Sequence, residues 1–253
     1  MAKTFLTAEW RKLIMANYAV EPELLEPYVP VGTMLDAYEG KCYVSLVGFL
    51  FRDVRIKSFA VPFHRTFEEV NLRFYVRHIT PSGELRRGVV FLSELVPRLA
   101  LQVVANTIYG ENYDTMALRH EWSESAEERV VTYEWRPRNL KHWHELRVRA
   151  DKRAQAIETG SAEEYFTEHY WGYTKRRGGW TSEYEVLHPR WKMYPILQHT
   201  INVDFGSFYG QQFESLGRRS PDSILLAEGS EIEVRSGVKI RGPQLEVAMA
   251  TEI

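Results

Sequence analysis

The chain has 253 residues, of which 44% are hydrophobic and 26% charged, with a net charge of −2 and a pI near 6.5. This composition excludes a disordered chain, and the charge gives no electrostatic footprint for DNA or RNA, so no nucleic-acid partner is expected. Apolar runs such as Val44 to Phe51 are too short to span a bilayer, and Met1 to Trp10 has no apolar signal core, so the expectation is a cytoplasmic protein without a membrane partner.

One domain over residues 1–253 is the simplest organisation, because β-rich domains commonly reach this length and no repeat or linker interrupts the chain. Thr7 to Val20 mixes Trp10, Leu13, Ile14 and Met15 with polar residues and fits either a helix or a strand. Glu21 to Pro27 reads as a short helix with a proline in its first turn. Lys41 to Val54 is apolar on both faces, the pattern of a strand buried on both sides. Cys42 falls in that run and reads as a buried thiol, since a single cysteine forms no intrachain disulfide and holds no zinc alone.

The most informative segment is Phe67 to Ile79. Alternation places Val70, Leu72, Phe74 and Val76 on one face and Glu69, Asn71, Arg73, Tyr75 and Arg77 on the other. An acid, an amide, a guanidinium and a phenol in this order either face solvent or line a pocket, where Glu69 would act as acid or base and Arg73 would clamp a carboxylate. Thr80 to Glu84 is a turn by composition and Leu85 to Val96 a second strand, which together predict a hairpin. Pro97 then suits the first position of a helix running to Gly110, whose N-terminus, with Arg98, would attract an anion.

Further on, His120 to Trp122, Arg129 to Trp135 and Leu140 to Ala150 suggest an antiparallel meander. His142 and His144 share one side of its last strand, but no third ligand is identifiable and no metal is expected. Ser161 and Glu164 have the spacing of a capping box, opening a helix to about Tyr170. Thr181 to His188, Gln198 to Phe205, Ile224 to Glu228 and Glu231 to Ser236 read as separate short strands. His169, Trp171, Tyr184, His188 and Trp191 form an aromatic-rich set that either walls a pocket or packs a core. The basic pairs Arg86-Arg87, Arg176-Arg177 and Arg218-Arg219 read as solvated loop charge. No nucleophile elbow or phosphate loop is present, and no cofactor is expected.

The runs Pro62 to Arg65, Phe67 to Val76, Gly88 to Glu94 and Ala105 to Tyr113 resemble the uncharacterised YqjF-like family (DUF2071), as do His169 to Tyr173 and Tyr184 to Trp191. That family is similar in fold to acetoacetate decarboxylase. The resemblance implies an α+β, mainly antiparallel fold, a cone-shaped β-barrel with flanking helices around a ligand cavity. In acetoacetate decarboxylase a lysine just after a proline forms a Schiff base with the ketone. Here the matching segment is Val96-Pro97-Arg98-Leu99, and a guanidinium is no substitute for an amine nucleophile.

Three readings follow. The first is a barrel pocket for a small carboxylate or keto acid, with Glu69 and Arg73 as the reactive pair and Asn71, Tyr75, Arg98, His188 and Trp191 as ligand contacts. The second is a non-catalytic binding or sensing protein on the same barrel, and the third a structural protein whose polar strand face is wet. A homo-oligomer is compatible with each.

Overall fold

The computed structural model describes residues 3–57, 59–60, 65–97, 113–137 and 141–241. The expected helix after Pro97 and the candidate Arg98 lie outside the described residues. Within them the chain is mostly strand, in a mixed, mainly antiparallel sheet with few helices. No helix among them is long and apolar enough to cross a membrane.

The first half is built from β1 (Thr4–Val20), β2 (Met34–Leu35), β3 (Cys42–Ile56), β4 (Phe59–Ala60), β5 (Phe67–Ile79), β6 (Leu85–Pro97) and β7 (Tyr113–Glu124). β8 (Glu128–Arg136), β9 (His144–Asp151), β10 (Gln155–Ala156), β11 (Trp171–Arg176), β12 (Trp180–Leu187), β13 (Lys192–Met193), β14 (Ile196–Asn202) and β15 (Ser223–Arg241) follow. The pairings β6-β11-β12-β15-β1-β3-β5 return to β6, because β5 and β6 form the expected hairpin. A second run, β7-β8-β9-β14, is antiparallel and joins the first through the parallel β6–β7 pair.

The ambiguous opening segment is therefore a strand, long enough to pair with both β15 and β3. Where β1 and β15 meet, Lys12 (φ 56°) and Gly229 (φ 80°) both adopt left-handed backbone, and the register slips on the β3 side between Arg11 and Ile14. A Cβ on Gly229 would stand 2.0 Å from the Trp10 carbonyl oxygen, so only glycine fits this bend. This explains one difference from expectation: Ile224 to Glu228 and Glu231 to Ser236 are halves of one strand, β15, bent at Gly229 and not broken there.

Two other expectations are corrected. Pro97 does not end the pairing; it is the last residue of β6 and faces Met116 of β7 in a parallel ladder. Arg86 and Arg87 are not solvated loop charge. They sit on β6, where Arg86 donates to the buried Glu183 at 2.6 Å and Arg87 to the buried Asp36 at 2.7 Å. The short β11 was not expected at all; it pairs with β12 throughout and with β6 at Trp171 and Gly172.

Local signals hold elsewhere. The prolines of the second segment give a helix at Pro22–Leu25 followed by a 3-10 turn at Glu26–Tyr28. Ser161 caps the helix Ala162–Thr167 by accepting from the Glu164 N–H, but the Glu164 carboxylate reaches the Gly160 N–H at 2.6 Å instead of closing the box on Ser161.

Two apolar clusters result. One lies between the strands β1, β3 and β5 and the second run of strands, joining Val70, Leu72, Phe74 and Val76 to Tyr133, Trp135, Leu146 and Val148, all essentially inaccessible. A Cβ on Gly48 of β3 would come within 2.9 Å of the Tyr133 ring, a measure of how closely these layers approach. The other cluster lies on the opposite face of β1, β3 and β5, where Met15, Tyr43, Val47, Phe49 and Tyr75 meet Tyr165 and Phe166 of the helix Ala162–Thr167. At about 1.5–3 kcal/mol for each fully buried large side chain, both faces contribute to stability.

Candidate functional site

The polar face of β5 points into this second cluster, and it is not wet. Glu69 is only 3% exposed and Asn71 2%, which removes the reading of β5 as a solvent-facing structural strand. Arg73 is half-buried and Tyr75 buried, while Arg77 emerges at the end of the strand and is exposed. A cavity of about 60 Å³ opens beside this face. Its wall carries Glu69 and Arg73 from β5, Glu94 from β6, and His169, His188 and Trp191 from the segments around β11 and β12. The rest is aromatic and aliphatic, including Trp10, Phe51, Phe91 and Trp171.

The residues expected to contact a ligand divide in two. Glu69, Arg73, His188 and Trp191 line the cavity. Asn71 and Tyr75 stand behind it: Asn71 donates from Nδ2 to Glu69 Oε1 at 2.9 Å, and the Tyr75 hydroxyl lies 2.6 Å from Ser45 Oγ, which donates to Asn17. Both therefore hold the strand face in place.

Arg73 is placed unusually for a cation. Its Nη2 donates to the Phe166 carbonyl at 3.3 Å and approaches the Met15 sulfur at 3.9 Å, and its carbon lies 5.7 Å from the Tyr75 ring centre. Its buried Nε has no hydrogen-bond acceptor, and among the described residues it forms no ion pair. A guanidinium offers five donors, and leaving buried donors unused costs stability, so this arrangement suits an anion entering the cavity.

His169 was visible in sequence only as part of the aromatic set; it lies in the non-strand residues between the helix Ala162–Thr167 and β11, where no local periodicity marks it. Its side chain is 2% exposed, with ring centre 4.6 Å from that of Tyr75 and 5.3 Å from that of Tyr165. Neither ring nitrogen has a hydrogen bond. Nε2 stands 3.6 Å from Asp36 Oδ2, just beyond hydrogen-bond distance. Burial drives the imidazole pKa down to about 4, and Arg87 and Arg73 push the same way against the Asp36 carboxylate, so the ring is neutral at pH 7. Asp36 is the reverse case: burial raises its pKa, but His169 and Arg87 outweigh that and hold it below the ordinary value.

His188 is sandwiched between Tyr170 and Trp191, with ring centres 4.8 and 4.3 Å away, and its Nδ1 lies 3.1 Å from the Pro189 carbonyl. Burial lowers its pKa as well. Trp191 is fixed by donating from Nε1 to Ser230 Oγ at 2.9 Å. His188 also borders an open surface groove of about 710 Å³, so one ring forms part of the wall of both spaces. By contrast, the His142 and His144 pair lies away from the cavity. His142 is exposed, and His144 packs against Trp135 and Phe208 with Nδ1 accepting from the Asp204 N–H. Among the described residues no group of three His, Cys, Asp or Glu side chains is arranged to hold a metal.

Comparison with solved structures places this architecture. An acetoacetate decarboxylase-like enzyme from Sphingomonas wittichii RW1 superposes with a TM-score of 0.64 at 10% identity, covering 95% of this chain and 94% of its own. Acetoacetate decarboxylase from Legionella pneumophila gives 0.61 at 10% identity over 94% and 88%. The enduracididine biosynthesis enzyme MppR complexed with pyruvate gives 0.60 at 12% over 96% and 90%. At such identities the likeness is one of fold. In sequence, the uncharacterized protein YqjF of Bacillus subtilis (strain 168) is 33% identical over 70 residues, 27% of this chain and 29% of that protein. The model of DUF2071, described as an uncharacterized conserved protein, matches residues 7–231, and the chain belongs to that family.

Proposed function

We propose that the ring of paired strands is the cone-shaped barrel of the acetoacetate decarboxylase fold, and that its cavity binds a small carboxylate or keto acid. The observation that carries this reading is Arg73, a cation in the cavity wall without an ion pair among the described residues. The ligand carboxylate takes the guanidinium in a charge-assisted, bidentate contact, and Glu69 exchanges a proton with the neighbouring oxygen. Asn71 and Tyr75 orient these two groups, and the stacked His188 and Trp191 close the apolar side. The pyruvate complex of a protein of the same fold supports the ligand class.

The reaction is not Schiff-base decarboxylation. None of the chain's lysines lines the cavity, so the amine nucleophile is missing. The same observation favours a second reading, binding or sensing without turnover.

Thermal-shift titration with small carboxylic and keto acids tests the proposal. Wild type is expected to be stabilised by at least one acid, Arg73→Met to lose that shift, and Glu69→Gln to reduce it. If no acid stabilises wild type, or both substitutions leave every shift intact, the proposal fails.

A further inference from the structure

Buried polar atoms without a hydrogen-bond partner in the cavity wall include Trp10 Nε1, Arg73 Nε and both ring nitrogens of His169. Buried polar atoms without partners are uncommon in folded proteins, and in this wall two of the side chains that carry them, Arg73 and His169, can bind or move a proton or an anion. Arg73 and His169 differ in kind. Arg73 only donates, whereas a neutral imidazole donates from one nitrogen and accepts at the other.

Asp36 decides which nitrogen does which. Its Oδ2 accepts from Arg87 Nε at 2.7 Å and stands 3.6 Å from His169 Nε2, while the Tyr165 hydroxyl donates to its backbone carbonyl at 3.1 Å. An ionised carboxylate only accepts, so the ring hydrogen belongs on Nε2 and the lone pair on Nδ1. The carboxylate is held by Arg87 on β6 and the Asp36 backbone by Tyr165, while the His169 ring packs against Tyr75 and Tyr165 and its Nδ1 has no protein partner among the described residues.

We propose that His169 Nδ1 is the general base of this cavity, removing a proton from the carbon next to the carbonyl of a 2-keto acid, with Asp36 as its positioning residue. This rests on the reading of the cavity as a keto-acid site and adds to it a named base and a reaction. The C3–H bond breaks and its electron pair becomes the C2=C3 double bond. The carbonyl π pair moves to oxygen, giving an enolate whose charge faces the Arg73 guanidinium, and the proton resides on Nδ1. Return of a proton from Nδ1 to C3 restores the keto acid, so the reaction balances without a further reactant and leaves hydrogen exchange with solvent as its trace. No amine is needed, in keeping with a cavity wall that has no lysine.

The charged and titratable groups facing the ring are Asp36, Arg87, Arg73, Tyr75 and Tyr165, with Glu69, Glu94 and His188 also lining the cavity. An anion bound at Arg73 offsets a cation that disfavours protonated His169, so binding makes Nδ1 more basic when a base is required.

The test is exchange of the methyl protons of pyruvate in D2O, followed by proton NMR, alongside the pyruvate-induced thermal shift. Wild type should show the shift and accelerate exchange. His169→Gln should keep the shift and lose about 100-fold or more of the exchange rate, the usual contribution of a positioned base. Asp36→Asn should slow exchange and move the acid limb of its pH profile to lower pH, a change that loss of packing alone does not produce. If His169→Gln does not fold, His169→Asn takes its place. Pyruvate binding without exchange above buffer, or exchange that survives both His169 variants, overturns the inference and leaves the binding site standing. Absence of any pyruvate shift in wild type overturns both.

Discussion

Both faces of β5 are buried over most of their length, yet they are built for opposite purposes. Val70, Leu72, Phe74 and Val76 are fully buried against Tyr133, Trp135, Leu146 and Val148, and the polar side chains of this face, Glu68 and His78, sit at the strand's two ends with His120 and the Gly32 carbonyl as partners. Glu69, Asn71, Arg73 and Tyr75 face the other way, into a cluster that contains a cavity and, among the described residues, a guanidinium without an ion pair and a histidine without hydrogen bonds. Burial alone therefore does not separate scaffold from site. The kind of unmet polar atom does: in the layer contact these are indole and phenol groups such as Trp135 Nε1 and Tyr209 Oη, whereas the cavity wall includes a guanidinium and an imidazole.

The largest effect should come from the apolar face. Phe74→Ala removes a fully buried ring and is expected to cost about 3–5 kcal/mol in urea unfolding. A cost below about 1 kcal/mol would mean that the layer contact contributes little, and the contrast between the faces would collapse.

Acid should act through the polar face. A histidine whose pKa falls from 6.5 in the unfolded chain to about 4 in the folded one binds fewer protons when folded, so stability declines as pH drops from about 6.5 to 4 and changes no further from this group below that. At 1.36 kcal/mol per pH unit the difference is about 3 kcal/mol. His144 and His188 are depressed in the same direction and add to the slope. Unfolding of wild type and His169→Gln at pH 7 and pH 4.5 measures the share of His169; equal acid sensitivity of the two proteins would contradict the assignment.

The smallest effect is the most discriminating. Arg73→Met exchanges a cation without an ion pair among the described residues for an apolar chain of similar length, and is expected to change stability without ligand by less than about 1 kcal/mol, or to raise it. A loss of several kcal/mol would make Arg73 a structural residue of the same kind as Phe74.

Much of this was legible beforehand where the signal is local. The alternation of β5, the turn at Thr80 to Glu84 and the Ser161 cap each depend on a few adjacent residues; the first two appear in the structure as read, and Ser161 caps its helix, though the box with Glu164 stays open and the helix ends at Thr167. β11 was missed because its six residues run into the Arg-Arg-Gly-Gly turn with little apolar pattern, and its place is set by β12 and β6. Arg86 and Arg87 looked like loop charge because nothing near them in sequence is acidic enough to claim both. Their partners Glu183 and Asp36 are 97 and 51 residues away. His169 was grouped with aromatics for the same reason, since the carboxylate that sets its tautomer lies far off in the chain.

The sequence by itself determined that β5 carries two chemically distinct faces, that a hairpin follows it, and that Pro97 is followed by arginine and not lysine. Side-chain alternation and residue identity are properties of the covalent chain. Only the tertiary structure decided that both faces are buried, that Asn71 and Tyr75 stand behind Glu69 and Arg73, and that His169 joins them in one cavity. Those outcomes depend on β8, β9, β11 and the helix Ala162–Thr167 closing over β5 from both sides, and contacts between distant segments are set by packing and shape, which local pattern does not encode.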